Sequence, residues 1–214
     1  MARTRSLDAI EIRVLGALME KEQTTPDHYP LTINGVIAAC NQKSNREPVM
    51  KLTETEVVEA LDRLAADVLA WRNVGPRSER WEHRLDRRWN LDRPKKAVMT
   101  LLLLRGAQTA GELRGRSERL HRFAGVAEVE AVLGELASGP EPLVRQLPRL
   151  PGKRETRWIH LVGDEAAEEA LTAAAAAPPP SRAGDEAAAR LDALEKDVAD
   201  LRRQLAALAA KLEG

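Results

Sequence analysis

Three groups of side chains in this 214-residue sequence have types and spacings that could do chemistry. The first is a polar run, Asn41, Gln42, Lys43, Asn45 and Arg46, directly after an apolar stretch at residues 33–39. Amides offer paired donor and acceptor and a guanidinium offers a planar fork, so such a run can bind a base edge, a phosphate or a partner's carboxylate. The same side chains also satisfy backbone groups in irregular connections, and both roles stay open at this point. The second group is basic. Arg77 and Arg80 follow the turn at Gly75-Pro76, Lys153, Arg154 and Arg157 follow Pro151-Gly152, and Arg114, Arg116, Arg119 and Arg122 recur between them. Affinity for a phosphate backbone is largely electrostatic and carried by Lys and Arg, so these are candidate nucleic-acid contacts.

The third group holds the four histidines and Cys40. His83 and His160 alternate with Trp81 and Trp158, which points to inward packing, and His28 and His121 stand beside Tyr29 and close to Phe123. No His-x-His, His-Glu-x-x-His or Cys/His cluster supplies three ligands, so neither a metal nor another cofactor is expected. The sequence also lacks a Gly-x-Ser-x-Gly elbow, a P-loop and a dinucleotide fingerprint, and Cys40 needs a spatially adjacent base to act as a nucleophile. No catalytic residue is assigned, and the expectation is a protein that is not an enzyme.

The elements that must position these groups are foreshadowed by composition. The longest apolar run, residues 98–104, is far shorter than a membrane span, the start lacks a signal-like apolar centre, and a lone cysteine forms no internal disulfide. A cytoplasmic protein with no membrane partner is therefore expected. Lys+Arg and Asp+Glu balance at 33 each, but the balance conceals a gradient: residues 94–163 carry five more basic than acidic groups and residues 164–214 five more acidic than basic.

Self-comparison is more informative. Glu56-Val57-x-x-x-Leu61-x-x-Leu64-Ala65 recurs as Glu128-Val129-x-x-x-Leu133-x-x-Leu136-Ala137, and Arg80-Trp81-x-His83 as Arg157-Trp158-x-His160. Gln23-Thr24 and Gln108-Thr109 form a third pair. The unequal offsets indicate a duplicated domain with different loop lengths rather than a solenoid. In the first copy Leu7, Ile10, Val14, Ala17 and Leu18 share one helical face, residues 33–39 form a second helix, and Thr53-x-x-Glu56 is a capping box opening a third. Its expected buried stripe is Val57, Leu61, Leu64, Ala65 and Val68, and residues 69–74 and 80–85 alternate as a hairpin. The second copy reads as helices at residues 95–104, after Thr109, and at 126–138, then strands at 143–147 and 156–162. Three helices followed by a hairpin is the winged-helix arrangement. The expected fold is mainly α with small β-hairpins: two tandem winged-helix domains at residues 1–93 and 94–163, an Ala/Pro-rich linker at 164–187 and a coiled-coil helix at 188–214.

Several polar stretches resemble the YceH family: Glu20-Lys21, Thr24-Thr25-Pro26, Tyr29-Pro30-Leu31 and Ala39-Cys40-Asn41-Gln42-Lys43-Ser44-Asn45-Arg46-Glu47-Pro48-Val49. Leu102-Leu103-Leu104-Arg105-Gly106-x-Gln108-Thr109-x-Gly111-Glu112-Leu113-Arg114 and Pro151-Gly152-Lys153-Arg154-Glu155-x-Arg157-Trp158 do so as well, and the likeness spans roughly residues 7–163. It implies a bacterial protein with two winged-helix domains and supplies no reaction. Residues 86–96 depart from the family's pattern.

In the tail, Leu191, Leu194, Val198, Leu201, Leu205, Leu208 and Leu212 repeat at the a/d spacing of a coiled coil, and Pro178-Pro179-Pro180 separates them from the domains. A homodimer through this stripe is expected. Two functions compete. Basic wings could contact double-stranded DNA, giving a regulator-like factor. The third helices, rich in Glu54, Glu56, Glu59 and Asp62, and in Glu128, Glu130 and Glu135, are repelled by phosphates and could instead grip a basic protein partner, as in an adaptor.

Overall fold

The computed structural model describes residues 5–75, 78–149 and 155–163. The chain divides into two compact units, Met1–Ala176 and Ala177–Gly214, and every described residue belongs to the first. Helices α1 (Ala9–Thr24), α2 (Ile33–Cys40) and α3 (Glu54–Ala66) precede a hairpin of β1 (Ala70–Val74) and β2 (Glu79–His83). A short helix α4 (Leu85–Arg88) leads to α5 (Arg93–Arg105), α6 (Ala110–Arg116), α7 (Val126–Ala137) and a second hairpin, β3 (Val144–Gln146) with β4 (Trp158–His160). The winged-helix-like succession of three helices and an antiparallel hairpin thus occurs twice.

Local chemistry explains the boundaries. Thr53 and Thr109 both form capping boxes, with Glu56 and Glu112 reaching back to the cap amides, and Asp8 and Glu11 make a third at α1. Gly106 takes φ 68° at the end of α5, a conformation that favours glycine. Thr32 caps α2 as Thr109 caps α6, and the residue before each cap pairs with a hairpin tryptophan: Leu31 with Trp81, Gln108 with Trp158. The structural counterpart of Gln108-Thr109 is therefore Leu31-Thr32. The match to Gln23-Thr24 is a coincidence of sequence, because those residues end α1 and do not open α2.

Two further expectations shift. Val68 leaves the buried stripe of α3: it lies beyond the helix at φ 57° and is 60% exposed, while Ala60 joins Val57, Leu61 and Leu64 in the core. Helix α1 is buried on all sides from Glu11 to Met19, not along one face, because α5, itself buried from Ala97 to Leu104, packs against it. The close crossing depends on Gly16, where a Cβ would meet the Leu104 side chain at 2.9 Å and Leu103 at 3.1 Å. The two copies consequently share one hydrophobic core. The start of the chain also clasps the end of the second copy, Leu7 N–H donating to the Val162 carbonyl at 2.9 Å.

Candidate functional site

The polar run after α2 is a tightly satisfied connection. The Arg46 side chain is fully buried and donates through both terminal nitrogens to Glu20, at 3.0 and 2.5 Å, through Nε to the Ala39 carbonyl and through Nη2 to Gln42. Asn41 binds the Leu52 backbone in both directions, at 2.8 and 2.7 Å. Asn45, at φ 58°, accepts from Arg105, and Glu47 N–H donates to the Leu104 carbonyl, so the run ties the first copy to α5. Lys43, Ser44 and Asn45 are exposed, Asn41 and Gln42 are half-buried, and Arg46 is buried. Beneath it, Arg13 donates to the Cys40 and Pro48 carbonyls; burial, with Arg46 nearby, lowers it to about 10. Burial likewise pushes the Cys40 thiol up to about 12, which leaves it protonated and a poor nucleophile at neutral pH.

The basic candidates divide into held and outward groups. Arg157 forks onto Glu112 at 3.0 and 3.2 Å and donates to the Ala107 carbonyl, and Arg116 donates to Gln108. Arg157 fastens the base of the second hairpin to α6, and Arg116 holds Gln108, whose backbone pairs with Trp158. Arg80 is exposed but donates to the Pro30 carbonyl at 2.9 Å. Arg114 and Arg119, with Arg122, are exposed and meet no acceptor among the described residues. Arg145, on β3, and Arg149, beside it, are exposed residues. Arg77, Lys153 and Arg154 lie outside the described residues, as do the linker and the leucine stripe from Leu191 to Leu212.

The outer faces of the third helices are acidic, as expected. Glu54, Glu59 and Asp62 on α3, and Glu128, Glu130 and Glu135 on α7, are exposed. Glu135 meets Lys95 at 2.9 Å, Glu128 accepts from Ala124 N–H, and Glu54, Glu59, Asp62 and Glu130 have no cation within reach among the described residues.

Sequence reasoning missed a four-element ionic cluster. Glu22 at the end of α1 accepts from His83 Nε2 at 3.0 Å and from Lys96 of α5 at 2.7 Å, and Lys96 also contacts Asp86 of α4. His83 Nδ1 accepts from Leu85 N–H, which leaves Nε2 as the nitrogen that donates toward Glu22, and the Tyr29 hydroxyl accepts from His83 N–H. Burial alone would raise Glu22, but the His83 and Lys96 hydrogen bonds outweigh it and hold the carboxyl at about 2. The Glu22, His83 and Asp86 ligand atoms lie within 4.8 Å of one another, yet the Lys96 ammonium already sits against both carboxylates as their cation. The only local signal was an inward-facing histidine, which must find a polar partner; its partner lies 61 residues away. A second missed network surrounds Glu11, fully buried at the start of α1 and held by Arg5 at 2.7 and 2.8 Å and by Arg63 at 2.9 Å.

With this geometry established, comparisons with known proteins add identity. A family model described as "Protein of unknown function, DUF480" matches residues 7–153. A UPF0502 protein of Acidovorax sp. (strain JS42) is 48% identical over 99% of this chain and 96% of its own length. UPF0502 proteins of Dechloromonas aromatica, at 45% over 94% and 95%, and of Geobacter sulfurreducens, at 48% over 91% and 90%, are similar along nearly their whole lengths as well. Among the described residues no helix is long and apolar enough to cross a membrane.

Proposed function

Since the chain belongs to the DUF480 family of proteins of unknown function, we propose its function from its own geometry: a non-enzymatic, regulator-like factor that contacts the phosphates of double-stranded DNA through α6 and the second hairpin. The motifs that resemble YceH fall largely within the matched segment, and we take them as motifs of this same family. The observation that carries the reading is the division of labour around Glu112. It holds Arg157 and Arg116, and the neighbouring Arg114 and Arg119 are left exposed without an acceptor among the described residues. Guanidinium groups presented in this way suit phosphate contact. The acidic outer faces of α3 and α7 oppose insertion into a major groove, so contact is with the backbone and carries little sequence reading. The leucine stripe at residues 191–212 supplies a homodimer, and the cytoplasm is its place.

Fluorescence anisotropy of the full-length protein with a random duplex tests this. Log K should fall linearly with log salt, with a slope of about −0.9 per neutralised phosphate. Joint Arg114→Glu and Arg119→Glu replacement should abolish binding, and Lys153→Glu with Arg154→Glu should do the same. Duplex affinity unchanged by both pairs rejects the reading. Sedimentation of a chain ending at Ala177 tests the dimer, which should be lost. A second reading, an adaptor for a basic protein partner, is favoured by the uncompensated carboxylates of α3 and α7. Absence of duplex binding even at low salt selects it.

A further inference from the structure

Arg105 is a charge without a counter-ion. It ends α5, is half-buried, and its only acceptor among the described residues is the neutral amide oxygen of Asn45, to which Nη1 donates at 3.1 Å. Its Nε is shut off from solvent with no acceptor among the described residues. A guanidinium drawn partly out of water ordinarily faces a carboxylate, because an unpaired charge there is costly. Burial, then Arg116 and more weakly Arg46, pull Arg105 below its usual value against the opposing charges of Glu47 and Glu112.

Arg116 is placed in the same manner. Its Nη1 donates to Gln108 Oε1 at 2.7 Å, and the buried Gln108 is itself locked by donating to the Leu101 and Gly106 carbonyls. Gly106 directly follows Arg105, so both guanidinium groups are anchored on one turn. Two of the three carboxylates nearby are committed elsewhere: Glu20 to Arg46, and Glu112 to the fork of Arg157, reaching Arg116 only at 3.8 Å. The third, Glu47, is exposed and forms no ion pair among the described residues. Two like charges are therefore aimed by amides, which fix direction without neutralising, and only Glu47 is left against them.

We propose that Arg105 and Arg116 form a seat for one phosphate group, where the polar run of the first copy meets α6. The phosphate supplies the missing counter-charge and accepts from Nη2 of both arginines, neither of which has a hydrogen-bond acceptor among the described residues. Planar guanidinium forks match phosphate oxygens better than a point charge does. The group belongs to a duplex backbone or to a small phosphorylated molecule, and the chemistry at the seat is the same for both. Arg114 and Arg119 take no part, so the seat does not depend on the duplex contact proposed above.

The test is a titration of nitrogen-labelled full-length protein with inorganic phosphate, with chloride at equal ionic strength as the control. The expected result is a saturable shift of Arg105 Nε–H and of the Asn45 and Gln108 side-chain amides, and a melting temperature that rises with phosphate. Arg105→Met should weaken phosphate about tenfold or more and abolish the thermal gain. Asn45→Asp suits the same left-handed backbone and sets a carboxylate on Arg105, so it should keep the fold and lose phosphate as well. The proposal is overturned if chloride gives equal shifts, if phosphate gives none, or if either variant binds phosphate as wild type does. A random duplex added to the phosphate complex identifies the source: displacement of phosphate from Arg105 assigns the seat to a nucleic-acid backbone, and retention assigns it to a small ligand. Phosphate binding with no duplex binding keeps the seat and rejects the duplex reading. Duplex binding through Arg114 and Arg119 with no phosphate shift at Arg105 does the reverse.

Discussion

Arg46 shows how a residue that looks like a recognition group can be committed to structure. Its guanidinium has no exposed surface, and its bonds close a circuit through Glu20, Gln42 and the Ala39 carbonyl. Arg46→Ala leaves the Glu20 carboxylate without its partner and should cost about 3 kcal/mol in urea unfolding; a loss under 1 kcal/mol contradicts this account. Arg46→Lys keeps the charge but not the fork and should recover only part of the loss. Glu22 makes a pH-dependent contribution. Its folded value of about 2 lies below its ordinary value of 4.5, so the folded state binds fewer protons between them. The stability it adds is complete above about pH 4.5 and is lost as pH falls through 2. Glu11, also lowered because its hydrogen bonds to Arg5, Asp8 N–H and Arg63 outweigh burial, acts in the same direction. Melting temperatures measured from pH 6 to pH 2 should fall more steeply for the wild type than for Glu22→Gln, and parallel curves would count against the cluster.

At the scale of elements, the crossing of α1 and α5 decides the architecture. Each presents a run of buried side chains, and Gly16 lets the two helices approach where Leu103 and Leu104 would meet a Cβ. Gly16→Val adds volume on that contact and should destabilise by about 2 kcal/mol, measured by denaturant midpoint at unchanged slope. An equal or raised midpoint would mean that the helices adjust freely. One polar bond joins the same pair: Gln23 of α1 donates to Thr100 of α5 at 2.9 Å, and Thr100 is oriented for it by donating to the Lys96 carbonyl of its own helix at 2.7 Å. The capping boxes at Thr53 and Thr109 were legible in the sequence because their partners lie three residues away. The short helix α4 was not, since Leu85–Arg88 lacks a capping side chain and is held by the burial of Leu85 and the contact of Asp86 with Lys96.

For the whole molecule, the shared core makes a cooperative prediction. A helix buried on every side by both copies cannot unfold with one of them alone. Residues 5–163 should therefore unfold in one transition, with tryptophan fluorescence and far-ultraviolet circular dichroism giving coincident curves. A chain ending at Arg93 should be insoluble or partly unfolded, because the α5-facing side of α1 becomes exposed. Two resolved transitions, or a well-folded fragment ending at Arg93, would show the copies to be independent domains.

Taken alone, the sequence determined the features whose causes are local or periodic. The capping motifs, the apolar spacing of α3 and α7, and the recurrence of Trp81-x-His83 as Trp158-x-His160 together determined a duplicated helix-helix-helix-hairpin unit. It also determined the acidic third helices, since charge on an exposed helix face needs no tertiary partner to be read. Only the tertiary structure decided that the two copies of the helix-helix-helix-hairpin motif join through α1 and α5, because burial on two faces depends on what arrives from a distant part of the chain. It alone decided which arginines are spent on Glu20 and Glu112 and which face solvent, and that Glu22, His83, Asp86 and Lys96 meet. Glu20 and Arg46, Glu112 and Arg157, Glu22 and His83, and Glu22 and Lys96 lie 26, 45, 61 and 74 positions apart, and no spacing along the chain records those separations.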